Sequence, residues 1–153
     1  MTSVALQGQA FTDYFRCPAD VAVFGTSAPA HGDEGYFSFG AATAQRLAQT
    51  RPGARGALLY ESCLPITGEW AIGPWPDALP VQIHGMDQDP FFALEGDIDA
   101  ARELVETAGD GLAELFVYPG DRHLFTDSSL PSYDADAAAQ VVQRSREFLD
   151  RVG

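Results

Sequence analysis

The chain has 153 residues, enough for one domain with a sizeable core and too few for two. Its formal net charge of −13, spread without any block of like charges, repels phosphate backbones and anionic membranes and so speaks against nucleic acid and lipid surfaces as partners. The two cysteines, Cys17 and Cys63, make neither a disulfide framework nor a metal-ligand spacing and read as reduced, partly buried thiols.

The amino terminus, M-T-S-V-A-L-Q-G, lacks a basic segment followed by an apolar one. It predicts no signal peptide and no membrane span, and the default expectation is a cytoplasmic protein. Residues 1–35 are the least periodic part. Val4 to Leu6 could open a strand, and Val21 to Gly25 is a better one: short, apolar and closed by glycine. The turn formers of T-S-A-P-A-H-G-D-E-G then predict a loop, with His31 as a loop residue.

Ala41 to Thr50 is rich in helix formers and stopped by R-P-G. Gly56 to Glu61 reads as a strand. Ile66 to Pro80 carries both tryptophans among glycines and prolines, which predicts a loop with apolar anchors; it either overhangs a site or plugs the core edge. Val81 to Gly85 is the next strand. Asp97 to Ala108 is a helix with Ile98, Ala101, Leu104, Val105 and Ala108 on one face, ended by Gly109 and Gly111. Leu115 to Tyr118 is a strand. Asp134 to Val152 is a helix with Val141, Val142, Ser145, Phe148, Leu149 and Val152 on one stripe, acids at its positive end and arginines toward its negative end. Strand–helix alternation after residue 36 predicts a single α/β domain over 1–153, a mostly parallel sheet flanked by helices.

Loops leaving the carboxyl ends of parallel strands line the ligand crevice of such a sheet. Asp89 follows the strand at Val81, and His123 follows the strand at Leu115. Upstream, F-S-F-G-A puts Ser38 before a helix. A serine hydroxyl needs a base within hydrogen-bond reach, and the base needs a third group to fix its tautomer. Ser, acid, His is the chain order of the α/β-hydrolases. Ser38 then serves as nucleophile, His123 as base and Asp89 as its orienting acid, with the backbone N–H of Phe39 donating to an oxyanion. Each residue also has a plain structural reading: Ser38 as an N-cap, Asp89 before Pro90 as a turn, His123 as a surface residue. Asp87 competes with Asp89. A second elbow, V-F-G-T-S-A-P with Gly25 and Ser27, would put Pro29 where glycine is expected. A metal site from His84, Asp87, Asp89 and His123 matches no standard spacing.

From about Tyr36 to Val152 the sequence resembles the dienelactone hydrolase family of α/β-hydrolases. The resemblance rests on F-S-F-G-A around Ser38, A-Q-R-L-A-Q-T-R-P-G-A-R-G-A-L-L after it, P-V-Q-I-H-G-M-D-Q-D-P-F-F around Asp89 and Y-P-G-D-R-H-L-F-T-D around His123. It implies a truncated α/β-hydrolase-like fold with an unmatched segment at 1–35. It also implies hydrolysis of an ester or lactone in a small carboxylated molecule, with no cofactor and no metal, and with Asp89 and His123 as the family's acid and base. The family's elbow has glycine two residues before the nucleophile, where this chain has Tyr36. Two alternatives follow: a catalytically impaired relative that binds a small molecule or a partner, and a homo-oligomer in which strand edges or apolar surface pair with another copy.

Overall fold

The computed structural model describes residues 23–25, 39–109 and 111–152. Val4 to Leu6, Cys17, Ser27, His31, Tyr36 and Ser38 lie outside these residues. Strand β1 (Val23–Gly25) leads to helix α1 (Phe39–Thr50), then β2 (Ala57–Tyr60), β3 (Val81–Met86), α2 (Asp97–Ala108), β4 (Ala113–Tyr118) and α3 (Ala135–Val152). The strands lie in the order β1-β2-β3-β4, and every pairing is parallel. This is the α/β architecture expected from the alternation, a parallel sheet with helices packed on it.

Side chains alternate across a strand, so a strand covered on both faces is buried at every position. A-L-L-Y in β2 and V-Q-I-H-G-M in β3 are buried at every position. Ala57 and Leu59 of β2 join Val81 and Ile83 of β3 under Ala44 and Ala48 of α1 and Ile98, Ala101 and Leu104 of α2. Leu58, Tyr60 and Met86 face the other way, onto Val141 and Phe148 of α3. Two cores result, one on each face of the sheet.

The elements differ from the expected ones mainly at their ends. β4 begins at Ala113, two residues before the apolar run, because Glu114 pairs in register with Gln82 and accepts hydrogen bonds from Gln82 and Arg151. α3 begins at Ala135, with Asp134 as its cap: Asp134 Oδ1 accepts the Ala137 N–H at 3.0 Å. No helix links β2 to β3. That segment is anchored by Trp75, whose indole N–H donates to the Leu79 carbonyl at 2.9 Å, whereas Trp70 is 82% exposed. One tryptophan therefore plugs the core, and the other faces solvent. The fully buried Gln45 of α1 holds the same segment from the other side. Its amide donates to the Leu64 carbonyl at 2.9 Å and accepts the Leu64 N–H at 2.8 Å, as a neighbouring strand would.

The α3 face buries a polar chain. His84 Nε2 meets Gln82 Oε1 at 2.8 Å, His84 Nδ1 meets the Tyr118 hydroxyl at 2.9 Å, and Tyr60, Phe116 and Tyr118 stack around the ring. Because an amide oxygen only accepts, His84 donates from Nε2 and accepts the Tyr118 O–H at Nδ1. This tautomer is neutral. Burial, followed by the Arg144 charge, pushes the His84 pKa down to about 3 from 6.5. The folded state therefore binds fewer protons here than the unfolded chain. The stability that His84 contributes is complete above pH 6.5 and is lost as pH falls toward about 3. We expect His84→Leu to destabilise the protein at pH 8 by about 1–3 kcal/mol, because the Tyr118 hydroxyl and the Gln82 amide lose their partner. The difference between the urea midpoints of the two proteins should shrink steadily as the pH is lowered from 6.5 to 4.

Candidate active site

The parallel register pairs Tyr60 with His84 and Met86 with Tyr118. The residues that follow β2, β3 and β4 therefore leave the sheet at one edge. Backbone bonds lock them together: Glu61 N–H donates to the His84 carbonyl at 2.6 Å, Asp87 N–H to the Tyr118 carbonyl at 2.9 Å, and Gln88 N–H to the Gly120 carbonyl at 2.9 Å. Asp87 belongs to this bracing, since its Oδ1 accepts the Gly120 N–H at 2.9 Å.

Asp89 faces His123. Its side chain is wholly buried, and each oxygen has a separate role. Oδ1 accepts the N–H groups of Phe91 and Phe92 at 2.8 and 3.2 Å, closing the D-P-F-F turn on itself. Oδ2 lies 2.8 Å from His123 Nδ1. The carboxylate is thus fixed before it meets the imidazole. It holds the proton of neutral His123 on Nδ1 and leaves the lone pair on Nε2, the form a general base requires. The Phe91 ring packs against the imidazole with centroids 4.7 Å apart.

Burial alone would lower the pKa of His123. The Asp89 hydrogen bond, followed by the charges of Glu61, Asp89 and Asp97, outweighs it, and the net shift is upward. Asp97 opens α2, where its Oδ2 accepts from the Ser62 hydroxyl at 2.6 Å and the Cys63 N–H at 3.1 Å. Burial, then the charges of Asp97 and Glu103, pushes the Cys63 thiol far up, so it stays a neutral core residue.

The structure adds a residue that the sequence reading passed over. Glu61 is 2% exposed, and its Oε2 lies 3.6 Å from His123 Nδ1 and accepts the N–H of Leu124. The only hint in the sequence is that Glu61 is a charged residue directly after an apolar strand, which by itself reads as the polar end of that strand. Glu61, Asp89 and His123 each offer a donor atom within 4.8 Å of the others. Those atoms already engage one another and the Leu124 N–H. His84 and Asp87, the other members of the alternative metal set, are held by Tyr118, Gln82 and Gly120.

Ser38 lies outside the described residues; Phe39, the next residue, opens α1. Gly85 allows the acid turn to sit against the sheet. A Cβ at this position would meet Phe92 ring atoms at 2.2 and 2.3 Å. We expect Gly85→Ala to destabilise the protein by about 1–3 kcal/mol through overpacking. Because Phe92 N–H is one of the groups fixing Asp89, the pKa of His123 should fall in the same variant, as read from its imidazole NMR titration.

The model of the dienelactone hydrolase family matches residues 35–153, a span that includes Ser38, Asp89 and His123. A crystal structure from Klebsiella pneumoniae subsp. pneumoniae MGH 78578, named as that of a "Putative Dienelactone Hydrolase", is similar at a TM-score of 0.54 and 20% identity, over 71% of this chain and 47% of that chain. At this identity the likeness is one of fold, and this chain spans about half the length of that protein. No curated protein matches the chain. Among the described residues no helix is long and apolar enough to cross a membrane.

Proposed function

The chain belongs to the dienelactone hydrolase family, and we propose that it is a serine hydrolase cleaving an ester or lactone bond of a small carboxylated molecule. The observation that carries this reading is the half-buried hydrogen bond between Asp89 and His123 at the carboxyl edge of a parallel sheet, inside the span matched by the family. Ser38 is the nucleophile. His123 Nε2 takes the hydroxyl proton as the Ser38 oxygen attacks the carbonyl carbon, and Asp89 stabilises the imidazolium that forms. The oxyanion is met by the N–H of Phe39, at the amino-terminal end of α1 where the helix dipole favours negative charge. His123 then returns the proton to the leaving alkoxide, and water repeats the sequence on the acyl-enzyme. These steps use side chains and backbone alone, with no cofactor or metal. The protein works in the cytoplasm, its partner is its substrate, and it assembles with further copies through strand edges or apolar surface.

Hydrolysis of p-nitrophenyl esters tests the reading. Ser38→Ala should abolish turnover, and Asp89→Asn should lower kcat on the order of 10⁴-fold by favouring the wrong tautomer. Unchanged turnover in Ser38→Ala would remove the serine mechanism. The base must be neutral to act, and its pKa is raised. The acid limb of kcat/KM should therefore lie above the ordinary imidazole value of 6.5, with activity lost as pH falls through it.

Tyr36 stands where the elbow of this family carries glycine, and a misplaced oxyanion donor costs roughly 10²–10³ in rate. We expect a slow enzyme in which Tyr36→Gly raises kcat. Equal or lower turnover in a folded Tyr36→Gly protein would place the limitation elsewhere.

A further inference from the structure

We propose that Glu61 is a second carboxylate on the catalytic base, a positioning residue that shares His123 with Asp89 and sets both the place of the imidazole and its proton affinity. The inference rests on the reading of His123 as the base.

Three observations meet at this side chain. Its Oε2 is 3.6 Å from His123 Nδ1, the nitrogen that Asp89 holds at 2.8 Å, so two acids face one N–H. The same oxygen accepts the N–H of Leu124, the residue after His123, and so ties the histidine loop to the end of β2. Oε1 is sealed from solvent and makes no hydrogen bond of ordinary geometry. A buried carboxyl oxygen met by no hydrogen bond of ordinary geometry, with only the Thr126 N–H acting weakly on the group, is costly for an ion and tolerable for an acid that carries its own proton.

The backbone supports the same reading. Glu61 has φ of 58° and Leu124 has φ of 59°, and these are two of the three non-glycine residues with positive φ among the described residues. A side chain in that region is strained, and such residues persist where the surroundings hold them. Here the two strained residues hold each other, one through its carboxyl group and the other through its N–H.

Glu61 also titrates where the base works. Burial raises its pKa, against the opposing charge of His123 and the Leu124 N–H; Asp89 adds to the rise, and the Thr126 N–H opposes it. The result is a pKa pushed up to about 7. The charged groups acting on His123 are Asp89, Glu61 and Asp97. Near neutrality Glu61 and His123 exchange charge as a coupled pair. An ionised Glu61 favours the imidazolium, and a protonated Glu61 releases that hold.

The test is the NMR titration of the His123 imidazole in the resting protein, which needs no turnover. In the wild type it should spread over two coupled steps. In Glu61→Gln the amide oxygen still accepts the Leu124 N–H, but the charge is gone, so His123 should titrate as a single site at lower pH. The acid limb of kcat/KM should move down with it. Glu61→Asp keeps the charge but lacks the reach to Leu124, so its titration should stay close to wild type while kcat falls on the order of 10²-fold with little change in KM, as expected for a misplaced catalytic group. A single-site titration in the wild type overturns the inference without any variant. A Glu61→Gln protein whose His123 titration is unmoved also overturns it. If the titration behaves as expected while no ester is hydrolysed, the coupling stands and the hydrolase reading is what fails.

Discussion

A wholly buried carboxylate is the constraint around which the carboxyl edge of the sheet is built. Asp89 cannot exchange its protein partners for water, so each must already be in place: two backbone N–H groups from its own turn and one N–H from His123. Removing any of them would leave an acceptor unsatisfied in a dry site. The turn therefore depends on Gly85 for room, the histidine loop depends on the turn, and the bracing by Asp87 and Gly120 keeps the two loops at one level.

The sheet supplies the coarse alignment. Parallel strands in uninterrupted register end together, and every chain segment leaving that edge carries a polar residue within a few positions. The two cores then do different chemistry. The α1 and α2 face is apolar, apart from the Gln45 clamp that mimics strand pairing. The α3 face encloses the Gln82–His84–Tyr118 chain, where every polar atom of the imidazole is matched and the neutral ring is the stable form. The carboxyl edge presents the opposite case, a histidine whose burial is outweighed by acids. One protein thus contains a buried and a half-buried histidine with opposite shifts: burial beside a hydroxyl and an amide lowers His84, and carboxylates outweigh burial at His123.

Much of this was legible in the sequence because period and punctuation agree. Asp97 to Ala108 has one apolar face and a glycine on each side, and the helix spans those residues. The segments at Val81 and Leu115 are of strand length and are followed by turn residues, which puts Asp89 and His123 on loops at one edge, while the choice of Asp89 over Asp87 rested on the resemblance. The rest was hidden by tertiary effects. Glu114 looks like a turn residue until Gln82 and Arg151 reach it. Gln82 and His84 in β3 break the apolar run, and only the facing Tyr118 explains them. Glu61 looks like the polar end of a strand, because neither its burial nor its contact with a loop more than sixty residues later, at Leu124, leaves a local trace.

Glu61 also carries two penalties at once. Its backbone lies in the left-handed region, where glycine would sit without strain and a non-glycine residue costs of order 1–3 kcal/mol. Its carboxyl group is taken out of water with one oxygen in no hydrogen bond of ordinary geometry. If the position served only to turn the chain after β2, glycine would remove both penalties, and asparagine would ease the backbone strain. If it served only to hold the Leu124 N–H, a neutral amide would do so without a charge to bury. Neither role calls for an acid. The property that a carboxyl group adds at this place is an ionisation coupled to His123, 3.6 Å away. The strain and the burial are thus accounted for together by one interaction, between the end of β2 and His123 on the loop after β4.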